Sequence, residues 1–213
     1  MKKPWRKLRF LKDNSDRKRL HNKNFTIFST NCIGGVIYHN LGLKFLSPTI
    51  NLWISPEDYI KLLKDPQKYL LNSDMHEIKM KNIDYPVGRL NDITIYGQHY
   101  INFDELKYKW NERKKRINWN NTFVFMIERD GCTYQDLLNF DRLPYKNKVV
   151  FTQKKYKDVK SSMVLPNSYD KENKNVNNLL QYKSSFSILE TIDEFDYVSF
   201  FNSEGLHLYK EKH

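Results

Sequence analysis

The chain has 213 residues and a formal net charge of +11, with 39% hydrophobic and 15% aromatic residues. That length supports one domain with its own core, and the aromatic content excludes a chain disordered throughout. Cys32 and Cys132 are too few for a disulfide scaffold and fit a reducing compartment. No apolar run reaches the ~20 residues of a membrane span, and Met1–Phe10 lacks the apolar centre of a secretory signal. The expected location is cytoplasmic, peripheral to the inner face of the membrane if the basic start binds lipid.

The charge is uneven. Residues 1–23 hold ten Lys or Arg against Asp13 and Asp16, a net +8 that leaves +3 for residues 24–213. The first 23 residues therefore read as a basic N-terminal arm. It is either a poorly ordered terminus or, with Trp5, Leu8, Phe10 and Leu11 among its bases, a segment for an anionic surface. The nearly balanced remainder disfavours nucleic acid as the partner.

From residue 24 to 213 the pattern is that of a single α/β domain. Phe25–Ser29 is an apolar strand, Asn31–Gly35 a turn, Val36–Leu43 a short helix and Thr49–Ile54 a second strand. Ser55-Pro-Glu-Asp58 is a helix start: Ser55 caps, Pro56 fits the first turn, and the two acids favour the positive end of the helix dipole. His76–Met80 and Ile93–Tyr96 alternate as strands do, with Tyr85–Arg89 as a turn between them. Asn102 caps a helix to about Arg116, with Phe103, Leu106 and Trp110 on one face. Thr122–Ile127 is apolar throughout and reads as a central strand. Arg129–Thr133 is a turn into a helix from Tyr134 to Phe140. Lys148–Thr152 and Ser162–Leu165 are further strands, Asn167–Asn178 is a loop, and Phe195–Phe201 is a last element. Strands separated by single helices predict a three-layer α/β fold, an open and mostly parallel sheet with helices on both faces, plus the basic arm.

The ordered series Phe25–Asn40, Ser47-Pro-Thr49, Pro56–Tyr59, Tyr85–Gly88, Asp92-Ile93, His99-Tyr100, Lys109–Asn118, Arg129–Cys132 and Leu143–Asn147 resembles the DUF1919 family over about residues 24–165. This chain has Ile33 where the family usually places an aromatic after the cysteine. The resemblance implies an α/β fold and a role near bacterial surface-polysaccharide assembly, exopolysaccharide or capsule.

Four features could carry chemistry. In Ser29–Gly35 a strand gives way to a helix, where open α/β sheets bind ligands. Gly34 and Gly35 would let backbone N–H groups approach a phosphate or an oxyanion, Asn31 would donate to the same oxygen, and Cys32 would be a nucleophile of depressed pKa or else a small buried residue. His99, just past a strand, is a candidate general base or a histidine satisfied by backbone; His21, His39, His76, His207 and His213 have weaker settings. Asp130 in Arg129–Cys132 would orient His99 or hold a sugar hydroxyl, or would only shape a turn. Arg113 and Arg116, with Lys109, lie at helical spacing and would hold phosphate, or face solvent. No zinc-type spacing is present, so no metal is expected.

Together these readings predict a transferase of surface-polysaccharide biosynthesis that passes an acyl group, from a donor such as acyl-coenzyme A, to a hydroxyl of a sugar or lipid-linked sugar. The alternatives are a glycosyltransferase using a nucleotide sugar and a non-enzymatic module that binds nucleic acid or a membrane surface.

Overall fold

The computed structural model describes residues 8–172 and 174–203. Trp5, the bases Lys2, Lys3, Arg6 and Lys7, and His207 and His213 lie outside the described residues.

Four parallel strands form the main sheet: β1 (Thr26–Ser29), β5 (Thr122–Ile127), β6 (Asn147–Phe151) and β7 (Ser162–Met163), in the order β1-β5-β6-β7. The apolar run 122–127 is β5, buried throughout and flanked on both sides, which is where a strand without a polar alternation belongs. Its side chains divide between two cores. Phe123, Phe125 and Ile127 join Phe200 and Phe201 of α6 (Tyr197–Asn202) and Ile37 of α2 (Ile33–Asn40). Val124 and Met126 join Leu62 of α3 (Pro56–Lys64), Leu106 and Trp110 of α4 (Phe103–Lys114) and Leu137 of α5 (Tyr134–Asp141). A second, antiparallel sheet has β3 (Val87–Leu90) between β2 (His76–Glu77) and β4 (Ile93–Tyr96). A two-residue ladder, β8 (Tyr169–Asp170) with β9 (Asn175–Val176), sits inside the stretch read as loop.

The predicted caps form. Ser55 Oγ accepts from Asp58 N–H at 3.2 Å, and Asn102 Oδ1 accepts from Glu105 N–H at 2.9 Å.

Two local readings are corrected. Residues 49–54 are not a strand: Asn51 takes a left-handed φ of 60° that breaks the extended run, and only Trp53 pairs, with Tyr96. The segment instead finishes the free edge of β1, where Thr49 Oγ1 accepts from Ser29 N–H and Ile54 N–H donates to Thr30 O. The supposed turn at 85–89 runs into β3, and the hairpin turn is Asn91-Asp92, with Asn91 at φ 54°. Gly88 serves packing, since a Cβ there would meet Met75 Sδ at 2.5 Å.

The basic arm is not confirmed as one. Over its described part it is a helix, α1 (Arg9–Arg19), whose inner side is ionic. Arg9 donates to both Asp193 oxygens, at 2.5 and 3.0 Å, and to Asp13 at 2.9 Å. Asp16, buried, pairs with Lys12 and accepts from Tyr197 Oη at 3.0 Å. Arg19 pairs with Asp196. The arm's few acids, together with those of the 3-10 turn Thr191–Glu194, anchor its bases to the carboxyl-terminal part of the domain.

Candidate functional site

The turn after β1 is held by its own side chains. Ser29 Oγ donates to Asn31 O at 2.7 Å and accepts from Gly34 N–H at 3.3 Å, while Asn31 Oδ1 accepts from Ile33 N–H at 3.1 Å. These bonds deliver Cys32 to the amino end of α2. They also change the role of the glycines. Gly34 and Gly35 are buried; a Cβ on Gly34 would lie 2.7 Å from Ser29 Oγ, and one on Gly35 3.1 Å from Asn51 Oδ1. The glycines let α2 pack closely, and the Gly34 N–H is already bonded rather than offered to a phosphate or oxyanion.

A cleft of about 540 Å³ opens where β1 and β5 end. Asn31 and Cys32 enter it from the turn after β1, Gln98 and His99 from the turn after β4, and Arg129 and Asp130 from the turn after β5. Trp53, Tyr85, Asn178 and Leu180 complete its walls. Three segments singled out in the sequence thus converge at the carboxyl ends of two adjacent parallel strands, where doubly wound sheets place ligands.

The groups differ in how far they are already engaged. Burial pushes the Cys32 thiol up, opposite to the depressed value expected of a nucleophile, so it stays protonated at neutral pH. His99 is exposed. Arg129 Nε donates to Asp130 Oδ2 at 3.2 Å, and Asp130 takes a left-handed φ of 56° ahead of Gly131 at φ 84°. Such a backbone persists only where its surroundings impose it. Trp53 packs against Tyr96 with ring centres 4.5 Å apart and planes tilted by 49°, which fixes one aromatic wall.

Glu128, missed in the sequence, supports this rim from below. It is 6% exposed at the end of β5. Its carboxylate accepts from Gln153 N–H at 2.8 Å, Gln153 Nε2 at 2.6 Å and Tyr156 Oη at 2.5 Å, and its carbonyl accepts from Val176 N–H. Tyr156, pushed up to about 12 by burial and by the neighbouring Glu128, remains a donor at neutral pH. The signal for Glu128 was available: a lone acid ending an apolar strand needs partners wherever the fold buries it.

The other predicted residues lie elsewhere. Arg113 is 8% exposed and donates to Tyr100 Oη at 2.6 Å and Ile50 O at 3.3 Å, with its guanidinium 5.2 Å from the Phe45 ring centre. It continues the inward stripe of Phe103, Leu106 and Trp110, so it ties α4 to the segment after α2 and does not line the cleft. Arg116 lies 3.9 Å from Glu112 one turn back and does not line the cleft. Cys132 is partly buried against the core of α3, α4 and α5, its thiol pushed up to about 12 by burial and then by Asp136, Glu128 and Asp130. Among the described residues no group of three or more His, Cys, Asp or Glu gathers as a metal site, and no helix is long and apolar enough to cross a membrane.

A second depression, about 620 Å³ between α3 and α5, is less suited to chemistry. Lys61 pairs with Glu57 at 2.7 Å, and Asp136 forms the capping box of α5 with Thr133. Glu57, Lys61, Asp136 and Asn139 thus already serve the helices that carry them.

Residues 5–202 match the family described as "Domain of unknown function (DUF1919)". A Haemophilus influenzae protein named "Uncharacterized protein" is 37% identical over 194 residues, covering 91% of this chain and 92% of that protein. Both matches extend beyond the central two-thirds in which the resemblance was visible, and the family match takes in α1 and α6. The chain belongs to the DUF1919 family.

Proposed function

We propose that this protein is a transferase of surface-polysaccharide biosynthesis that moves an acyl group from a thioester to a sugar hydroxyl in the cleft. The observation that carries the reading is the convergence of Asn31, His99 and Asp130, with the rings of Trp53 and Tyr85, on that one cleft. Aromatic faces suit the C–H side of a sugar ring, and amide and carboxylate groups suit its hydroxyls. The pathway rests on the family resemblance. The reading takes the fold as three layers, with the carboxyl rim of the parallel sheet as the binding edge.

His99 is the base. It removes the proton of the acceptor hydroxyl as that oxygen attacks the thioester carbonyl carbon; the new C–O bond forms, the C–S bond breaks, and the leaving thiolate takes the proton from the imidazolium. Asp130 positions the acceptor by accepting from a neighbouring hydroxyl. Asn31, whose Oδ1 is held by Ile33 N–H, offers its amide nitrogen to the carbonyl oxygen. Direct transfer suits Cys32, whose protonated thiol lines the wall without forming an acyl-enzyme. Arg129 is the one Lys or Arg among the described residues lining the cleft, and it takes the place that Arg113 and Arg116 were expected to fill for the donor's phosphates.

The test is acyl transfer from acetyl-coenzyme A to a panel of sugars and lipid-linked sugars, run beside thermal shift with the same compounds and with nucleotide sugars. Expected are transfer that falls roughly 10²–10⁴-fold in His99→Gln, at unchanged unfolding temperature, and is retained in Cys32→Ser. Stabilisation by nucleotide sugars alone would assign a glycosyltransferase instead, and full activity in His99→Gln would remove the base.

A further inference from the structure

We infer that α1 is a docking helix that lays its outer side on an anionic lipid bilayer. A helix that packs on a domain turns its apolar stripe inward; α1 does the reverse. Its inner side is Arg9, Lys12, Asp13 and Asp16, locked to Asp193 and Tyr197. Its apolar residues are outside: Phe10 is 52% exposed and Leu11 54%, with Leu8 half-exposed at the helix start. Rolling the helix to bury Phe10 would pull Arg9 off Asp193 and strand a carboxylate whose side chain is 1% exposed. The fold therefore holds these apolar side chains in solvent rather than merely tolerating them.

Charge selects the occupant. Lys18 is exposed two turns beyond Leu11 and has no ion-pair partner among the described residues, while Arg17, also exposed, is held by Asn40 O and His39 O of α2. Lys2, Lys3, Arg6 and Lys7 precede the helix in the chain, and residues 1–23 carry +8 of the total +11. An apolar patch with basic flanks matches the acyl boundary and the phosphates of an anionic leaflet together. A second copy would bring two such positive segments face to face. A nucleic acid would find the single ring of Phe10 beside the aliphatic Leu8 and Leu11, which offer no further stacking surface. The inference stands apart from the proposed chemistry, since none of these residues lines the cleft.

The experiment is co-sedimentation of the full chain with vesicles of phosphatidylcholine alone and of phosphatidylcholine mixed with phosphatidylglycerol, at low and high salt. Binding to the mixed vesicles, weak binding to phosphatidylcholine and release by salt are expected. Phe10→Glu/Leu11→Glu lowers partitioning by about tenfold or more, while the unfolding midpoint holds because both sites are exposed. Lys18→Glu produces a smaller, salt-sensitive loss. Absence of binding to the mixed vesicles, or unchanged binding by the double variant, would overturn the inference. So would a concentration-dependent dimer or an RNA complex that the double variant abolishes, since either assigns the face to another occupant.

Discussion

At its carboxyl end α2 meets α1: Arg17 Nε donates to Asn40 O at 2.8 Å, beside the ionic contacts that bind α1 to the 3-10 turn and α6. At its amino end the same helix meets the cleft, with Asn31, Cys32, His99 and Asp130 around it. Both regions are rich in polar side chains. In the first, the carboxylates of Asp16 and Asp193 are buried and gripped by cations on a neighbouring turn or helix. In the second, the side chains are partly or largely exposed, and Arg129–Asp130 is the ion pair at its rim. Charges that are fully satisfied hold a fold together but have nothing left for a ligand. Groups at a concave rim with bonding capacity to spare are the ones that can do chemistry.

The strongest way to break this contrast is to remove a cation from the closed end. Arg9→Met keeps most of the apolar stem and deletes the charge, leaving Asp193 with Glu190 N–H at 2.8 Å and Lys12 at 3.8 Å. We expect a loss of about 3 kcal/mol in urea unfolding, the lower end for breaking a buried pair, with transfer activity per folded molecule unchanged. A loss of activity at full stability would mean that the two ends are coupled through α2.

Gly34→Ala sharpens the comparison, because Gly34 belongs to the helix and to the floor of the turn at once. Alanine in a helix is worth about 1 kcal/mol over glycine. Here the new methyl group would meet Ser29 Oγ at 2.7 Å and Ile27 Cγ2 at 3.0 Å, both on the buried β1 strand, and overpacking of that kind costs roughly 1–3 kcal/mol. The net expectation is destabilisation by up to about 2 kcal/mol, read by urea unfolding, together with reduced activity as Ser29 lets go of Asn31 O. Ser29→Ala removes the hydroxyl in the way, so the double variant should be less destabilised than the two single costs added.

How much of this was legible in the sequence follows from the range of the forces involved. Caps at Ser55 and Asn102 and the central strand at 122–127 are decided within a few residues, and they could be read directly. The meeting of residues 31 and 130 could be anticipated because parallel neighbours such as β1 and β5 end at the same edge, whereas His99 arrives from the antiparallel sheet, on the turn after β4. What escaped depends on distant partners. Asn51 breaks a β-like run because Thr49 and Ile54 are already bonded to the edge of β1. The stripe Phe103–Leu106–Trp110 continues to Arg113, but only the position of Tyr100 and Ile50 shows that a guanidinium can be buried there. The basic arm looked free because its acidic partners Asp193 and Asp196 lie 184 residues from Arg9 and 177 from Arg19 along the chain. Trp53 and Tyr85 carry no local mark of a binding wall; one was read inside a strand and the other inside a turn.

The smallest expected effect carries an informative sign. Asp130 holds φ 56°, a conformation that costs an ordinary L-residue about 1–2 kcal/mol and glycine almost nothing. Asp130→Gly relieves that strain. Against it stand the greater freedom of the unfolded chain and the loss of a partly exposed contact with Arg129, which at 3.2 Å at the rim contributes little. The balance leaves stability unchanged or raised by up to about 1 kcal/mol. If Asp130 positions the acceptor, the same substitution raises KM for the sugar and lowers kcat/KM, and Asp130→Asn, which keeps a hydrogen-bonding side chain, recovers part of the loss. Unchanged or raised stability in Asp130→Gly together with that loss of activity would show that the position is kept for its carboxylate. Were Asp130→Gly instead to unfold the protein while Asp130→Asn did not, the carboxylate would prove to be part of the turn, and the open end of α2 would be finished in the same manner as the closed one.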